Sequence, residues 1–193
     1  MHAPGADFDD AAAAFAAGVI GGGLDPRVEA LIARAGALRH LPAQALPLLE
    51  QARAAAPRHP APLIALYRFH FYGHALAEAL AAGEDALAIA RAALGPDFAD
   101  VPPTDEAARD DAAVRFYLFT LKGLAYLNLR LGALDEARFL LGELRRLDPK
   151  DQVGGALLAQ VLARREEGGE GEGSDDDAPP PASSARGWQG CPR

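Results

Sequence analysis

The sequence predicts an all-α protein made of stacked helical hairpins, and three observations carry that expectation. The first is residues 121–149, LKGLAYLNLRLGALDEARFLLGELRRLDP, which read as one helix-turn-helix unit. Leu121, Leu124 and Ala125 form the apolar stripe of a first helix, and Gly132 makes the turn. Leu134 and Ala137 open a second helix, which Leu141, Leu144 and Pro149 close. The second observation is a spacing: Ala79 follows Ala45 by 34 residues, and the same register puts Leu63, Leu66 and Leu76 on an apolar stripe with Gly73 and His74 at a turn. The third is composition. Half of the 193 residues are hydrophobic, but many are alanine, so the core must come from close helix contact rather than from bulky side chains.

Taken in order, residues 1–24 form an Ala/Gly-rich N-terminal segment: the run 11–17 suits a short, loose helix and Gly21-Gly22-Gly23 a flexible break. A phosphate loop is excluded there, because no Gly-Lys-Ser/Thr follows to supply charge and a magnesium ligand. Asp25-Pro26 then starts a helix, the carboxylate capping and the proline at the first helical position. A first hairpin spans about 26–59, with helices at about 26–39 and 43–55. Here His40 stands where a turn glycine is wanted, and Pro47 should kink or delay the second helix. A second hairpin covers about 60–94 and stops at Gly95-Pro96. Ala137 follows Ala79 by 58 residues, so the register is broken by 24 extra ones, which include the acidic insert at about 95–111. The insert lacks the alternating carboxylates and central glycine of a calcium loop and reads as a solvated loop with a helix start. The third hairpin covers about 118–151, and Ala125 and Ala137 mark the closest approach of its helices. A capping helix at 152–165, started by Asp151, offers Leu157, Leu158, Val161 and Leu162 to close the stack. Residues 166–193 are expected to be a disordered, acidic, Pro-rich tail carrying Trp188 and Cys191.

Charge and chemistry narrow the function class. The net charge is −8, and seven acids at 166–177 supply most of it, leaving −3 on the residues before the tail. That balance argues against phosphate-driven binding of nucleic acid. One cysteine excludes an intramolecular disulfide framework and suits a reducing cytoplasm. No window has the apolar length of a membrane span, and acids precede the only candidate signal segment. No Gly-x-Ser-x-Gly elbow is present, and Cys191 has no oriented base beside it, so the expectation is a non-enzymatic protein without a cofactor. His70 and His74 would share a face on a continuous helix, which keeps a metal-handling alternative open, although Gly73 between them argues for a helix end.

The unit at 121–149 resembles a tetratricopeptide repeat, with Leu121 and Asn128 where that family usually has Trp and Tyr. The resemblance extends over about 26–165 and implies a short right-handed superhelix with a C-terminal cap, whose first helices line a concave groove for a protein or peptide. Carried onto this sequence, the groove positions include Arg34 in the first hairpin and Ala61, Ile64, Arg68, Phe71 and Tyr72 in the second. The third supplies Phe119, Lys122, Tyr126, Leu129 and Arg130. With Arg27 the full set holds five bases and no acids, which implies a mildly basic, aromatic-lined trough for an acidic or carboxylate-bearing partner. Ala30, Ala65 and Phe119 stand where the chaperone-binding members carry their carboxylate clamp, so that specificity is not implied. Residues 114–132, VRFYLFTLKGLAYLNLRLG, are also similar to small repeat proteins of bacterial nitrogen-fixation gene clusters. That likeness implies an accessory role in nitrogen fixation or metallocluster assembly as an alternative.

Overall fold

Helix α7, Ala112–Leu131, has almost no polar side, and the molecule is arranged to cover it. Its buried side chains include Val114, Phe116, Tyr117, Leu118, Leu121, Leu124, Leu127 and Leu129, which cover most of the circumference and leave a strip to Arg115, Lys122, Tyr126 and Arg130. The structure is a computed structural model and describes residues 6–18 and 23–169. All regular structure among these residues is helical. In chain order the other α-helices are α1 (Ala6–Gly18), α2 (Pro26–Ala37), α3 (Pro42–Ala55), α4 (Pro60–Tyr72), α5 (Leu76–Leu94), α6 (Asp105–Asp110), α8 (Leu134–Leu147) and α9 (Ala156–Gly169). A 3-10 turn, Pro96–Ala99, follows α5.

Consecutive helices form three hairpins, α2 with α3, α4 with α5, and α7 with α8, and α9 packs on the last. The hairpins stack through α3 on α4 and α5 on α7. Two cores result. A small one joins the first two hairpins through Ala35, Ala45, Leu49, Leu66 and Ala82. The larger one surrounds α7 and takes residues from α1, α4, α5, α6, α8 and α9. Ala125 and Ala137 are fully buried, as expected for the crossing of α7 and α8.

Local chemistry explains most boundaries. The Asp25 carboxylate accepts the Arg27 N–H at 2.8 Å, with Pro26 next to it. The Asp111 carboxylate accepts the Ala113 and Val114 N–H groups, both at 2.9 Å, and so starts α7. Gly132, with φ of 79°, ends it in the left-handed conformation that glycine adopts without a Cβ penalty. Two polar residues buried on α7 are satisfied within the helix: Thr120 Oγ1 donates to the Phe116 carbonyl and Asn128 Nδ2 to the Leu124 carbonyl.

Several expectations change. α3 starts at Pro42 and runs through Pro47 without a break. Pro47 and Ala43, whose carbonyl loses its intrahelical partner, are both exposed, so water can satisfy that oxygen. The acidic insert is structured: Phe98 lies edge-on to Tyr117 at 5.3 Å, Thr104 caps α6, and Gln152 donates to the Asp105 carbonyl. α7 begins six residues ahead of the expected third hairpin. α9 begins at Ala156, four residues later than expected, because residues 152–155 are spent on a turn. In that turn the buried Asp148 accepts the Val153 N–H, and Asp151 Oδ1 accepts the N–H groups of Gly155 and Ala156. Glu166 belongs to α9, where Arg138 of α8 holds it by two hydrogen bonds of 2.6 and 3.0 Å. The expected tail beyond 169, with Trp188 and Cys191, and the pair Gly21-Gly22 lie outside the described residues.

Ala137→Leu should destabilise the fold by roughly 1 to 3 kcal/mol, because three added carbons have no room at the helix crossing. Thermal melts of the variant and the parent measure this. Coincident curves would show that the α7–α8 contact is looser than the burial of Ala137 indicates.

Candidate functional site

The residues expected to face a common trough fall into separate neighbourhoods. At the C-terminal halves of α4 and α7, Phe71 lies 5.9 Å from Tyr126, ring centre to ring centre, and 5.4 Å from the exposed Tyr72. Arg130 lies over the Tyr126 ring at 5.8 Å and donates to its hydroxyl at 2.9 Å. Thus Phe71, Tyr72, Tyr126 and Arg130 form one surface. Arg130 has no carboxylate partner among the described residues, and Tyr72 is 68% exposed.

Beneath this surface lies Tyr67, one of the aromatic cluster Tyr67, Phe69, Phe71 and Tyr72 in the sequence. Tyr67 stacks on Phe71 at 6.0 Å and fits its ring between two glycines. A Cβ on Gly83 of α5 would lie 3.5 Å from the Tyr67 ring, and one on Gly123 of α7 would lie 3.2 Å from its hydroxyl oxygen. The matches Tyr67 to Gly123 and Phe71 to Tyr126 advance together along the chain, so α4 and α7 run parallel. Burial, and after it the neighbouring phenols of Tyr126 and Tyr72, pushes the Tyr67 hydroxyl up to about 12.

Phe119 and Lys122 belong elsewhere. Phe119 is buried, with Arg115 at 5.4 Å and Lys122 at 5.8 Å from its ring. Lys122 Nζ donates to the Val153 carbonyl at 2.6 Å, so its charge secures the turn before α9. Phe119 is thus buried under two cations, and Lys122 is engaged by the turn before α9. Arg34 is exposed in the last turn of α2 and takes part in neither aromatic group.

The N-terminal halves of α4 and α7 are covered by α1. It packs on both α7 and α4, and Phe15, fully buried, stacks on Phe116 at 4.7 Å. Ala11 and Ala12 are buried beside it. The expected loose helix is therefore part of the core. Between α1, α2 and α4 lies an open chamber of about 830 Å³, lined in part by Ala61, Ile64 and Arg68, three of the expected groove positions. His59 also lines it. Its Nδ1 accepts the Ala61 N–H at 3.2 Å and caps α4, while Nε2 is buried without a hydrogen-bond partner. Burial lowers the His59 pKa from the ordinary histidine value. The only sequence sign of Phe15 is that it is a lone large side chain in an alanine run.

His70 and His74 do not form a pair on one helical face. α4 ends at Tyr72, and His74 sits in the following turn with φ of 62°. Among the described residues, no three His, Cys, Asp or Glu side chains gather into a set that could hold a metal ion. No described helix is long and apolar enough to cross a membrane.

Tyr67 yields a pH prediction with a definite sign. Its raised pKa means that the fold favours the neutral phenol, so this contribution is complete below about 10, the ordinary tyrosine value, and is lost as pH rises toward about 12. Stability to denaturant should fall over that window. Ultraviolet titration should show one tyrosine ionising near the upper end, absent in Tyr67→Phe; a Tyr67 that ionises near 10 would contradict the enclosure described.

No family model matches the chain, and no solved structure matches it. Among curated proteins it is 34% identical over 122 residues to the uncharacterized 19.8 kDa protein in the nifW 5′ region of Azotobacter chroococcum mcd 1. The match covers 61% of this chain and 68% of that protein. At that identity and coverage, the chain belongs to the family of this nifW 5′-region protein.

Proposed function

We propose that this protein is a non-enzymatic interaction module of the nitrogen-fixation machinery, binding a partner protein or peptide through the face built on α4 and α7. The single observation that carries this reading is the surface of Phe71, Tyr72, Tyr126 and Arg130. An exposed tyrosine beside a stacked aromatic base, with an arginine that has no carboxylate partner among the described residues, is the composition of an interface centre. Arginine and tyrosine hydroxyl together suit a carboxylate-bearing ligand, which a planar guanidinium engages with two parallel hydrogen bonds. Arg34, in the last turn of α2, and Arg68, in the second half of α4, add basic character to these helices.

Three features support placing α2 to α9 in a short right-handed tetratricopeptide-type superhelix. These are the 34-residue spacing of Ala45 and Ala79, the three stacked hairpins and the parallel course of α4 and α7. In such an arrangement first helices line the inner face, and the Phe71–Tyr126 surface lies there. The family relation to a nifW 5′-region protein supports a nitrogen-fixation setting, and a cytoplasmic location and a role as scaffold or assembly factor follow within this reading. The metal-handling alternative loses its geometric basis once His70 and His74 part at the end of α4.

The test is capture of the tagged full chain from native cells grown on dinitrogen, followed by mass spectrometry. Parent is compared with Arg130→Glu and Tyr72→Ala, both at exposed positions. A specific partner should be recovered with the parent and bind each variant at least about fivefold more weakly, the loss of roughly 1 kcal/mol typical of an interface centre. Equal binding by well-folded variants would remove this face from the interaction.

A further inference from the structure

We propose that the acidic stretch 170–177 folds back over the surface of Phe71, Tyr72, Tyr126 and Arg130 and competes there with the external partner. This deepens the reading above and rests on it. It names an occupant that the chain itself carries and gives the site a charge-dependent control.

Three helices end at one edge of the molecule. Lys122 of α7 donates to the Val153 carbonyl just ahead of α9, and Arg165, near the other end of α9, donates to the Leu129 carbonyl of α7. The matches 122 to 153 and 129 to 165 advance together, so α9 runs parallel to α7, as α4 does. Tyr72 closes α4, Arg130 follows the carbonyl that Arg165 holds, and α9 ends at Gly169. The chain therefore leaves α9 beside the surface that its next residues are to cover.

Charge is complementary across that edge. Arg130 is exposed, lies over the Tyr126 ring and has no carboxylate partner among the described residues, and Arg165 is a second exposed cation beside it. Of the acids ending α9, Glu166 is held by Arg138 of α8 and Glu167 is exposed. Beyond them Glu170, Glu172, Asp175, Asp176 and Asp177 follow with no base among them. A guanidinium beside phenol hydroxyls takes carboxylates by charge-assisted hydrogen bonds. Reach is ample, since packed helices lie about 8 to 10 Å apart and eight extended residues span up to roughly 26 to 29 Å. Gly171 and Gly173 carry no Cβ to oppose a change of direction. Exposed ion pairs are individually weak, but a short tether holds the stretch at an effective concentration in roughly the millimolar range. A partner bringing its own carboxylates must displace it.

The test places one nitroxide label within the stretch of the full chain, on Ser174→Cys in a Cys191→Ser background. Paramagnetic broadening of amide signals is compared with a second labelled full chain carrying Glu170→Gln, Glu172→Gln, Asp175→Asn, Asp176→Asn and Asp177→Asn, which keeps the tether length and removes the charge. At low salt the Tyr72, Tyr126 and Arg130 signals should be broadened at least about threefold more in the acidic chain than in the neutral one. That excess should vanish at about 1 M salt, where charges are screened over roughly 3 Å, and in Arg130→Glu. Equal broadening in the acidic and neutral chains at low salt would overturn the proposal, as would an excess that Arg130→Glu leaves unchanged. The measurement needs no external partner, so its failure is distinct from failure of the interaction reading, which the capture experiment decides.

Discussion

The constraint on which the structure depends is that α7 must be dry on nearly all sides. A helix carrying Phe116, Tyr117, Leu118, Phe119, Leu121, Leu124, Leu127 and Leu129 would expose several hundred square ångströms of apolar surface if it were only half of a hairpin. α5 and α8 flank it, α6 and the 3-10 turn close over its start, α9 covers another strip, and α1 takes the last. The two buried polar groups on α7 bond back to their own helix, so complete burial leaves no orphaned hydroxyl or amide. The insert that interrupts the repeat register is therefore useful: it lengthens α7 at its N-terminus and supplies Phe98 and Ala108 as cover.

From that central helix follows the division of the face shared by α4 and α7. Near the start of α7 the gap to α4 is filled by α1, whose alanines permit close approach and whose Phe15 meets Phe116. Farther along, Gly83 and Gly123 withdraw their side chains, and Tyr67 occupies the space, raising Phe71 and Tyr126 into contact above it. Glycine within a helix costs about 1 kcal/mol relative to alanine, and here the cost is offset by the enclosed aromatic ring. The same placement leaves Tyr72 and Arg130 on the outside. Packing on one side of α4 thus sets the chemistry offered on the other.

Much of the fold was legible because it was written in local signals. Asp25-Pro26 and Gly132 behave as caps should, and Ala125 and Ala137 are fully buried between α7 and α8. The candidate site was legible only in part. Phe71, Tyr72, Tyr126 and Arg130 adjoin one another, whereas Lys122 is claimed by the turn before α9 and Phe119 is buried. Nothing at position 122 announces that a carbonyl 31 residues later will take its ammonium as donor. Pro47 does not end α3: the carbonyl it frees belongs to an exposed residue and can reach water, and exposure is not a local property.

What the sequence determined by itself is the set of helices and hairpins, because capping, turn chemistry and apolar period act over a few residues and need no distant partner. What only the tertiary structure decided is which surfaces remain open. An alanine-rich helix such as α1 can lie loose or pack with equal local consistency, and its fate turns on whether a wide apolar seat exists elsewhere. That seat is formed by Ile64 of α4 and Phe116 of α7, more than fifty residues apart in sequence, and exists only once both helices are in place.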